Sequence, residues 1–229
     1  MKTLLSLLAL LVALDASAAA PPAKKSAPHP SLVPVQDVAG LPRVLLIGDS
    51  ISMGYTVPVR KLLEGKVNVH RIPNNGGPTK YGIANIDRWL GKEKWDVIHF
   101  NWGIHDLKFM PDGKRQVEPA DYEKNLRELV AKLKATGAKL IWATITPIPD
   151  GELQPGRRFG DEGEYNAIAR KIMEANGVRI NDLNACITPE RGKMQKPRDV
   201  HYTDEGSAFL AKKVAIEIEA VLPKSAKQP

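Results

Sequence analysis

Short apolar runs alternate with helically spaced apolar stripes along most of this 229-residue chain. The runs have the length of buried β-strands, and turn residues bound them. They predict five strands, at residues 44–47, 67–72, 95–102, 139–145 and 178–180. Because segments of helical spacing separate these strands, the pattern predicts an α/β domain whose parallel sheet is covered by helices on both faces.

Helices are predicted wherever apolar residues recur every three or four positions. The stripes predict helices over 57–63, 79–90, 122–133, 165–172 and 210–221. Pro119 suits the first turn of the third helix, and Gly137 suits the position just after its end. No internal repeat is evident, so we expect one domain of this alternating type.

The first 40 residues differ in composition from the rest of the chain. Residues 1–18 place one lysine before a Leu-rich run and end in small residues, which predicts a secretory signal peptide. That run is too short to span a bilayer comfortably, so we expect a secreted or periplasmic protein with no stable membrane insertion after cleavage. Residues 19–40 predict a flexible Pro/Ala/Lys-rich linker, 41–222 the domain and 223–229 a C-terminal tail.

The charge and the cysteine content of the chain give limited information about its partners and disulfides. The formal net charge of +7 could favour an anionic partner, although the lysines are spread over helix faces as on an ordinary solvated surface. We find no nucleic-acid-binding motif and expect no nucleic-acid partner. The single cysteine, Cys186, excludes an intrachain disulfide. Composition does not indicate an oligomeric state.

A serine follows the first predicted strand after a two-residue turn. Gly48 and Asp49 both favour a turn and would place Ser50 at the C-terminal end of a buried strand. Ligands bind at that end of open parallel sheets, and a serine with a histidine to accept its proton would be a nucleophile. The alternative is an ordinary strand-to-helix turn in which Ser50 caps the helix.

Three other loops carry candidate chemistry. Residues 74–79 follow strand two and contain two glycines, which can leave a backbone N–H pointing into a cleft. Residues 101–106 follow strand three and contain a glycine, a histidine and an aspartate. His201, two residues after Asp199, lies just before the last helix, and its alternative interpretation is a surface histidine. The other histidines lie in the linker or inside strands and are poorer candidates.

The four blocks resemble those of the SGNH hydrolases, also called the GDSL esterase/lipase family, which is named for a Ser, a Gly, an Asn and a His in separated blocks. The resemblance extends over about residues 41–222. It implies a flavodoxin-like, three-layer α/β/α fold with a doubly wound parallel five-stranded sheet. Each block alone is weakly specific, but four in this order form a specific signal.

The resemblance also implies a role for each matched residue. Ser50 is the expected nucleophile, with its own N–H in the oxyanion hole, and His201 is the expected base. Gly77, rather than Gly76, is the expected second donor of the oxyanion hole. The residues expected to support the site are Asp49, Gly103 and Asp106.

Two blocks depart from the family pattern. His105 occupies the position of the family's Asn donor, and a neutral imidazole has one N–H that could replace it. Arg198 occupies the position of the usual Asp, and Asp199 lies one residue closer to His201. Asp199 is therefore the expected third member of a triad, and the alternative is a Ser-His dyad.

The residues and the resemblance together predict a secreted serine esterase that hydrolyses carboxylic esters through an acyl-enzyme. The expected substrate is a small-molecule or polysaccharide ester, in particular an O-acetyl or other short acyl group on a carbohydrate. The alternatives are a lysophospholipase or thioesterase-type acyl hydrolase, and a non-catalytic glycan-binding protein on the same fold. This chemistry requires neither a metal ion nor a cofactor. Trp102 could stack on a sugar ring or belong to the core.

Overall fold

The sheet is parallel throughout and has the strand order β2-β1-β3-β4-β5. The computed structural model describes residues 27–222, so the predicted signal peptide and C-terminal tail lie outside the described residues. The strands are β1 (Arg43–Ile47), β2 (Asn68–Arg71), β3 (Val97–Phe100), β4 (Lys139–Ala143) and β5 (Arg179–Asn181). All five predicted strands are therefore confirmed, and their order is that of a flavodoxin-like doubly wound sheet.

Helices cover both faces of this sheet. They are α1 (Ser50–Leu62), α2 (Thr79–Leu90), α3 (Pro119–Ala135), α4 (Asp161–Ala175), α5 (Leu183–Ile187), α6 (Arg191–Met194) and α7 (Asp204–Val221). Helix α1 packs against α7, whereas α3 packs against both α2 and α4. Because right-handed crossovers put connections of opposite direction on opposite faces, α1 and α7 form one outer layer and α2 to α4 form the other. The three-layer α/β/α fold is confirmed.

Helix α1 begins at Ser50 rather than near residue 57, where the apolar stripe suggested its start. Gly54 and Pro58 weaken the local helical signal. Packing against α7 outweighs this weak local signal. A Cβ on Gly54 would lie only 3.0 Å from Ser207 Oγ of α7, so the glycine permits close approach of the two helices. The candidate nucleophile therefore lies in the first turn of a helix, immediately after β1.

The apolar run of β1 lies at the centre of the core. Its side chains Val44, Leu45, Leu46 and Ile47 are each 2% exposed or less. A parallel strand with helices on both faces has no solvent-facing side, which explains the run without alternation. Burying each such side chain contributes about 1.5–3 kcal/mol. The strand that carries the candidate nucleophile is thus fixed by burial on both faces.

Residues 27–40 differ from the flexible linker expected over 19–40. Ser31 is fully buried within a short 3-10 helix. Val38 pairs its backbone N–H and C=O with the side chain of Asn68, at 2.9 and 3.0 Å. This segment thus attaches to the domain where the buried Asn68 satisfies two of its backbone groups. Residues 27–40 therefore contact the domain although most of them are exposed, and the bounds of the linker stay a prediction.

Candidate active site

The nucleophile loop, residues 48–52, joins β1 to α1. Asp49 is 4% exposed, and its carboxylate accepts a hydrogen bond of 2.9 Å from the backbone N–H of Ile51. Asp49 therefore caps α1, so Ser50 does not, and the alternative of a capping serine does not apply. The Ser50 hydroxyl is half-buried and remains available to another partner.

That partner is His201, in the histidine loop formed by residues 196–201. Ser50 Oγ lies 2.7 Å from His201 Nε2, and His201 Nδ1 lies 2.6 Å from Asp199 Oδ1. An ionised carboxylate only accepts hydrogen bonds, so Nδ1 carries the proton and Nε2 can accept the serine proton. Burial raises the pKa of Asp199, but hydrogen bonds from the backbone and ring of His201 outweigh it and leave that pKa below its ordinary value.

A tight turn sets the geometry of the histidine loop. The Asp199 N–H donates to the Lys196 carbonyl over 3.2 Å, with Pro197 and Arg198 between them. Arg198 has a φ of +52°, the backbone conformation that a type II turn requires after its proline. The carboxylate of Asp199 also accepts from the His201 backbone N–H at 3.1 Å. The turn thus explains how an acid two residues before the histidine reaches its ring.

The guanidinium of Arg71 braces the nucleophile loop. It donates hydrogen bonds to the Gly48 carbonyl at 2.8 Å, to the Asp49 carbonyl at 3.1 Å and to Ser52 Oγ at 2.6 Å. Burial lowers the pKa of Arg71 to about 10, so it is charged at neutral pH. Nothing in the hydrophobic pattern singles out this residue, because its role depends on β2 lying next to β1 in the sheet.

The glycine pair that follows β2 packs on the same loop. The N–H of Gly76 donates to the Gly48 carbonyl over 2.9 Å, and a Cβ on Gly76 would lie 2.8 Å from that oxygen. Gly48 needs its small size for a similar reason, since a Cβ there would lie 2.8 Å from Ser52 Oγ. Gly77 has a φ of +58°, and its N–H donates to Asn75 Oδ1 at 2.9 Å. Its role in the oxyanion hole stays a prediction.

The loop after β3 is tied to the start of α2 by Asp106. This buried carboxylate accepts two hydrogen bonds from Thr79, 2.8 Å from the backbone N–H and 2.5 Å from the hydroxyl. Burial raises the pKa of Asp106 to about 6, although the bonds from Thr79 oppose the rise. Gly103 adopts a φ of +139°, and a Cβ there would lie 2.2 Å from Ile145 Cδ1. The structure thus places both residues where they hold this loop in position.

His105 projects from the same loop and lines a groove together with Ser50 and His201. Burial lowers the pKa of His105, nearby Asp49 opposes the shift, and Arg157 adds to it. The imidazole is therefore neutral at physiological pH and carries one N–H. Within residues 27–222 the ring makes no hydrogen bond, so this donor is free to meet a ligand.

Trp102, by contrast, belongs to the core. It is 1% exposed, lies against Phe100 and covers Gly82, where a Cβ would approach its ring to 2.9 Å. It therefore offers no face to a sugar. His99 is also fully buried, and burial lowers its pKa to about 3, which makes it a neutral core residue.

Two surface depressions meet at the Ser50–His201 contact. The first has a volume of about 480 Å³ and is called the cationic groove below. Its polar lining consists of Ser50, His105, Lys108, Gln154, Arg157, Arg198, Asp199 and His201. The second, of about 470 Å³, extends along α1 towards His29 and Pro30 of the N-terminal segment. A ligand on Ser50 would contact one or both of them.

The described residues are 27–222. In that range no three His, Cys, Asp or Glu side chains gather as metal ligands. Nor does any helix in the same range have the length and apolar composition needed to cross a bilayer.

The fold and the site define a class of protein, an α/β/α hydrolase domain with a Ser-His-Asp contact at the C-terminal edge of its parallel sheet. The family model described as GDSL-like Lipase/Acylhydrolase matches residues 46–209, more than half of the chain. The chain belongs to this family of ester hydrolases, which confirms the resemblance to the SGNH hydrolases.

Individual relatives agree with this assignment. An arylesterase of Vibrio mimicus is 26% identical over 189 residues, which cover 77% of this chain and 88% of the arylesterase. The crystal structure of the lipase/acylhydrolase from Enterococcus faecalis has a TM-score of 0.70 at 22% identity, covering 82% of this chain and 100% of that one. Axe2, an acetylxylan esterase from Geobacillus stearothermophilus, has a TM-score of 0.62 at 21% identity, with 77% and 94% covered. At these identities the two structures show a shared fold.

Proposed function

We propose that the protein is an exported serine esterase that removes O-acetyl or other short acyl groups from a carbohydrate, with Ser50, His201 and Asp199 as its catalytic residues. The observation that carries the proposal is the continuous line of contacts from Ser50 Oγ to His201 Nε2 at 2.7 Å and from His201 Nδ1 to Asp199 at 2.6 Å. This is the arrangement that lets a base remove a serine proton while an acid stabilises the resulting imidazolium.

In the first step the Ser50 proton passes to His201 Nε2 as Oγ bonds to the ester carbonyl carbon. The tetrahedral intermediate collapses, its C–O bond to the alcohol breaks, and His201 returns the proton to the departing alkoxide. Water then repeats the sequence on the acyl-enzyme and releases the carboxylic acid and free Ser50. Asp199 stays ionised and holds the imidazole in the productive tautomer.

Negative charge on the intermediate needs donors in place before the reaction. The Ser50 N–H belongs to the first turn of α1, where backbone N–H groups lack helical acceptors and the helix dipole favours an anion. The neutral ring of His105 supplies a second donor from the loop after β3. Gly77 contributes a third once its N–H exchanges Asn75 for the oxyanion.

The preference for a short acyl group rests on the walls around Ser50. Ile104, Leu153 and Val200 are apolar, but the charged Lys108 and Arg157 interrupt them in the same groove. A long hydrocarbon chain gains most from continuous apolar surface, which this groove does not offer. The carbohydrate and the export of the protein are inferred from the sequence, and the predicted signal peptide lies outside the described residues.

Labelling with a fluorophosphonate tests the nucleophile directly. The wild-type protein should be labelled on Ser50, Ser50→Ala should not, and Ser207→Ala should be labelled like wild type. Ser207 is a suitable control because it lines the second depression beside the same contact. If the folded wild-type protein takes no label, the proposed function is wrong and a non-catalytic glycan-binding role is favoured.

Turnover of p-nitrophenyl esters of increasing chain length tests the acyl preference. We expect kcat/KM to be highest for acetate and to fall as methylenes are added, with acetyl release from an acetylated glycan by the same preparation. A maximum at long chains would overturn the short-acyl assignment in favour of a lysophospholipase. A maximum on acyl thioesters would do the same in favour of a thioesterase.

A further inference from the structure

The cationic groove carries more positive than negative charge. Lys108, Arg157 and Arg198 line it within one depression that also contains Ser50. Within residues 27–222 none of these three cations forms a salt bridge, although many arginines elsewhere do. Those paired arginines are Arg43, Arg115, Arg127, Arg170, Arg179 and Arg191.

Backbone contacts hold Arg157 at the wall of the groove. Its Nε donates to the Ile104 carbonyl at 2.9 Å and its Nη1 donates to the Pro155 carbonyl at 3.3 Å. Within residues 27–222 Nη2 has no hydrogen-bond partner, so one edge of the guanidinium stays open. A planar cation fixed in this way suits an oxyanion, which it can meet with directed N–H groups.

One carboxylate, Asp199, lines the groove, and a second, Asp49, lies near it. Burial lowers the pKa of Arg157, and the charges of both carboxylates oppose that shift. Both already accept hydrogen bonds from other groups. Asp199 is bound to His201, and Asp49 accepts from the Ile51 N–H. Burial lowers the pKa of Lys108, and the positive charges of Arg157 and Lys80 lower it further. The net charge beside the candidate nucleophile is therefore positive. A bound anion would relieve this repulsion.

We infer that the substrate of the proposed esterase is an acylated sugar that carries a carboxylate or sulfate beside the scissile ester, and that Lys108, Arg157 and Arg198 bind this anionic group. The inference rests on the proposed function and adds the charge of the substrate to it. An anion seated in this groove is held next to Ser50, so its binding also positions the ester carbonyl.

A matched pair of chromogenic esters tests the charge alone. The probes are 5-acetoxy-2-nitrobenzoate, which is anionic, and its neutral methyl ester, which release nearly the same nitrophenol. At about 25 mM NaCl the wild-type enzyme should favour the anionic ester by roughly tenfold or more in kcat/KM. The preference should fall at about 500 mM NaCl, since salt screens partly exposed charges.

Variants test whether the groove residues cause the preference for the anionic ester. Lys108→Met combined with Arg198→Asn removes two charges, and asparagine tolerates the positive φ of position 198. We expect this double variant to lower the anionic-to-neutral ratio about tenfold. Lys139→Met is the control, because Lys139 is exposed at the start of β4, at the opposite edge of the sheet, and should leave the ratio unchanged.

The outcomes separate the two proposals. If both esters are hydrolysed equally at low salt, the anionic substrate is ruled out while the esterase mechanism stands. If neither ester is hydrolysed by the folded protein, the proposed function itself fails. Acetylated polyuronate, an acetylated sulfated glycan and acetylated neutral glucomannan then distinguish the sources: a carboxylate or sulfate glycan should release acetate faster than the neutral one, and the reverse order would overturn the inference.

Discussion

The nucleophile loop and the histidine loop meet at one hydrogen bond, but they are held in different ways. In the nucleophile loop Asp49 is 4% exposed. The Gly48 carbonyl of this loop accepts hydrogen bonds from Arg71 and Gly76, which are distant in the sequence. In the histidine loop the side chains of Asp199 and His201 are each 40% exposed, and the shape comes from a local turn.

This difference predicts in which loop a substitution should change both activity and stability. A substitution that disturbs the nucleophile loop also disturbs buried contacts between β1, β2 and α1. A substitution of Asp199 or His201 changes groups that solvent already reaches, so the fold should tolerate it. Catalytic and structural effects should therefore separate cleanly in the histidine loop and appear together in the nucleophile loop.

The largest effect that sharpens this comparison is expected from Asp199→Asn. The change removes the charge that stabilises the imidazolium and fixes its tautomer, so kcat should fall by about 10⁴-fold, as in other Ser-His-Asp triads. The melting temperature should stay close to that of wild type. Steady-state kinetics and thermal unfolding of this variant beside His201→Ala provide the measurement. A loss of less than about tenfold in kcat would indicate a Ser-His dyad instead.

His105→Ala should have the next largest effect. If the neutral ring donates to the oxyanion, its removal should lower kcat by about 10² to 10³-fold with a smaller change in KM. His105→Asn should keep much more activity, because an amide also offers an N–H from this position. Equal and full activity of the alanine and asparagine variants would reduce His105 to a loop residue.

Arg71→Met tests the nucleophile loop, where we expect stability and activity to fall together. The variant removes three buried hydrogen bonds that the guanidinium donates to the nucleophile loop, so we expect the free energy of unfolding to drop by about 1–3 kcal/mol. The Gly48 carbonyl keeps its bond from the Gly76 N–H, and the Asp49 carbonyl keeps its bond from the Met53 N–H. Activity should drop in the same variant, since Ser50 directly follows the two residues whose carbonyls Arg71 binds. Arg88→Met, on the exposed side of α2, is the matched control. Denaturant unfolding and kcat/KM measured on both variants test the coupling, and normal values for Arg71→Met would contradict it.

The smallest effect concerns Asp106 and depends on pH. An acid whose pKa is raised in the folded state contributes stability while it is protonated and loses that contribution as pH rises. Here the pKa rises from 3.8 to about 6, so the loss should occur between roughly pH 4 and pH 6. The difference in the free energy of unfolding between Asp106→Asn and wild type should therefore shift in favour of the variant by about 1–3 kcal/mol between pH 4 and pH 7. Denaturant unfolding at both pH values measures it, and a difference independent of pH would disprove the titration.

The hydrophobic pattern of the sequence determined most of the fold. Short apolar-rich runs predicted all five strands, and β1 has the uninterrupted run that burial of a parallel strand on both faces produces. Helical stripes predicted the long helices, and the separated blocks placed Ser50, His105 and His201 in loops after or before the right elements. Such inferences succeed because periodicity and turn chemistry act over a few neighbouring residues.

Only the tertiary structure decided which further residues, beyond Asp49, Gly103 and Asp106, support the site. Strand order brings Arg71 and Gly76 against the nucleophile loop, packing of α1 on α7 extends α1 back to Ser50, and Asn68 secures the N-terminal segment. The turn at Arg198 determines that Asp199 reaches His201, which spacing alone left open. These features join residues far apart in the chain or depend on a single backbone dihedral. No local pattern encodes them, because their energy arises only when the sheet and its layers have assembled.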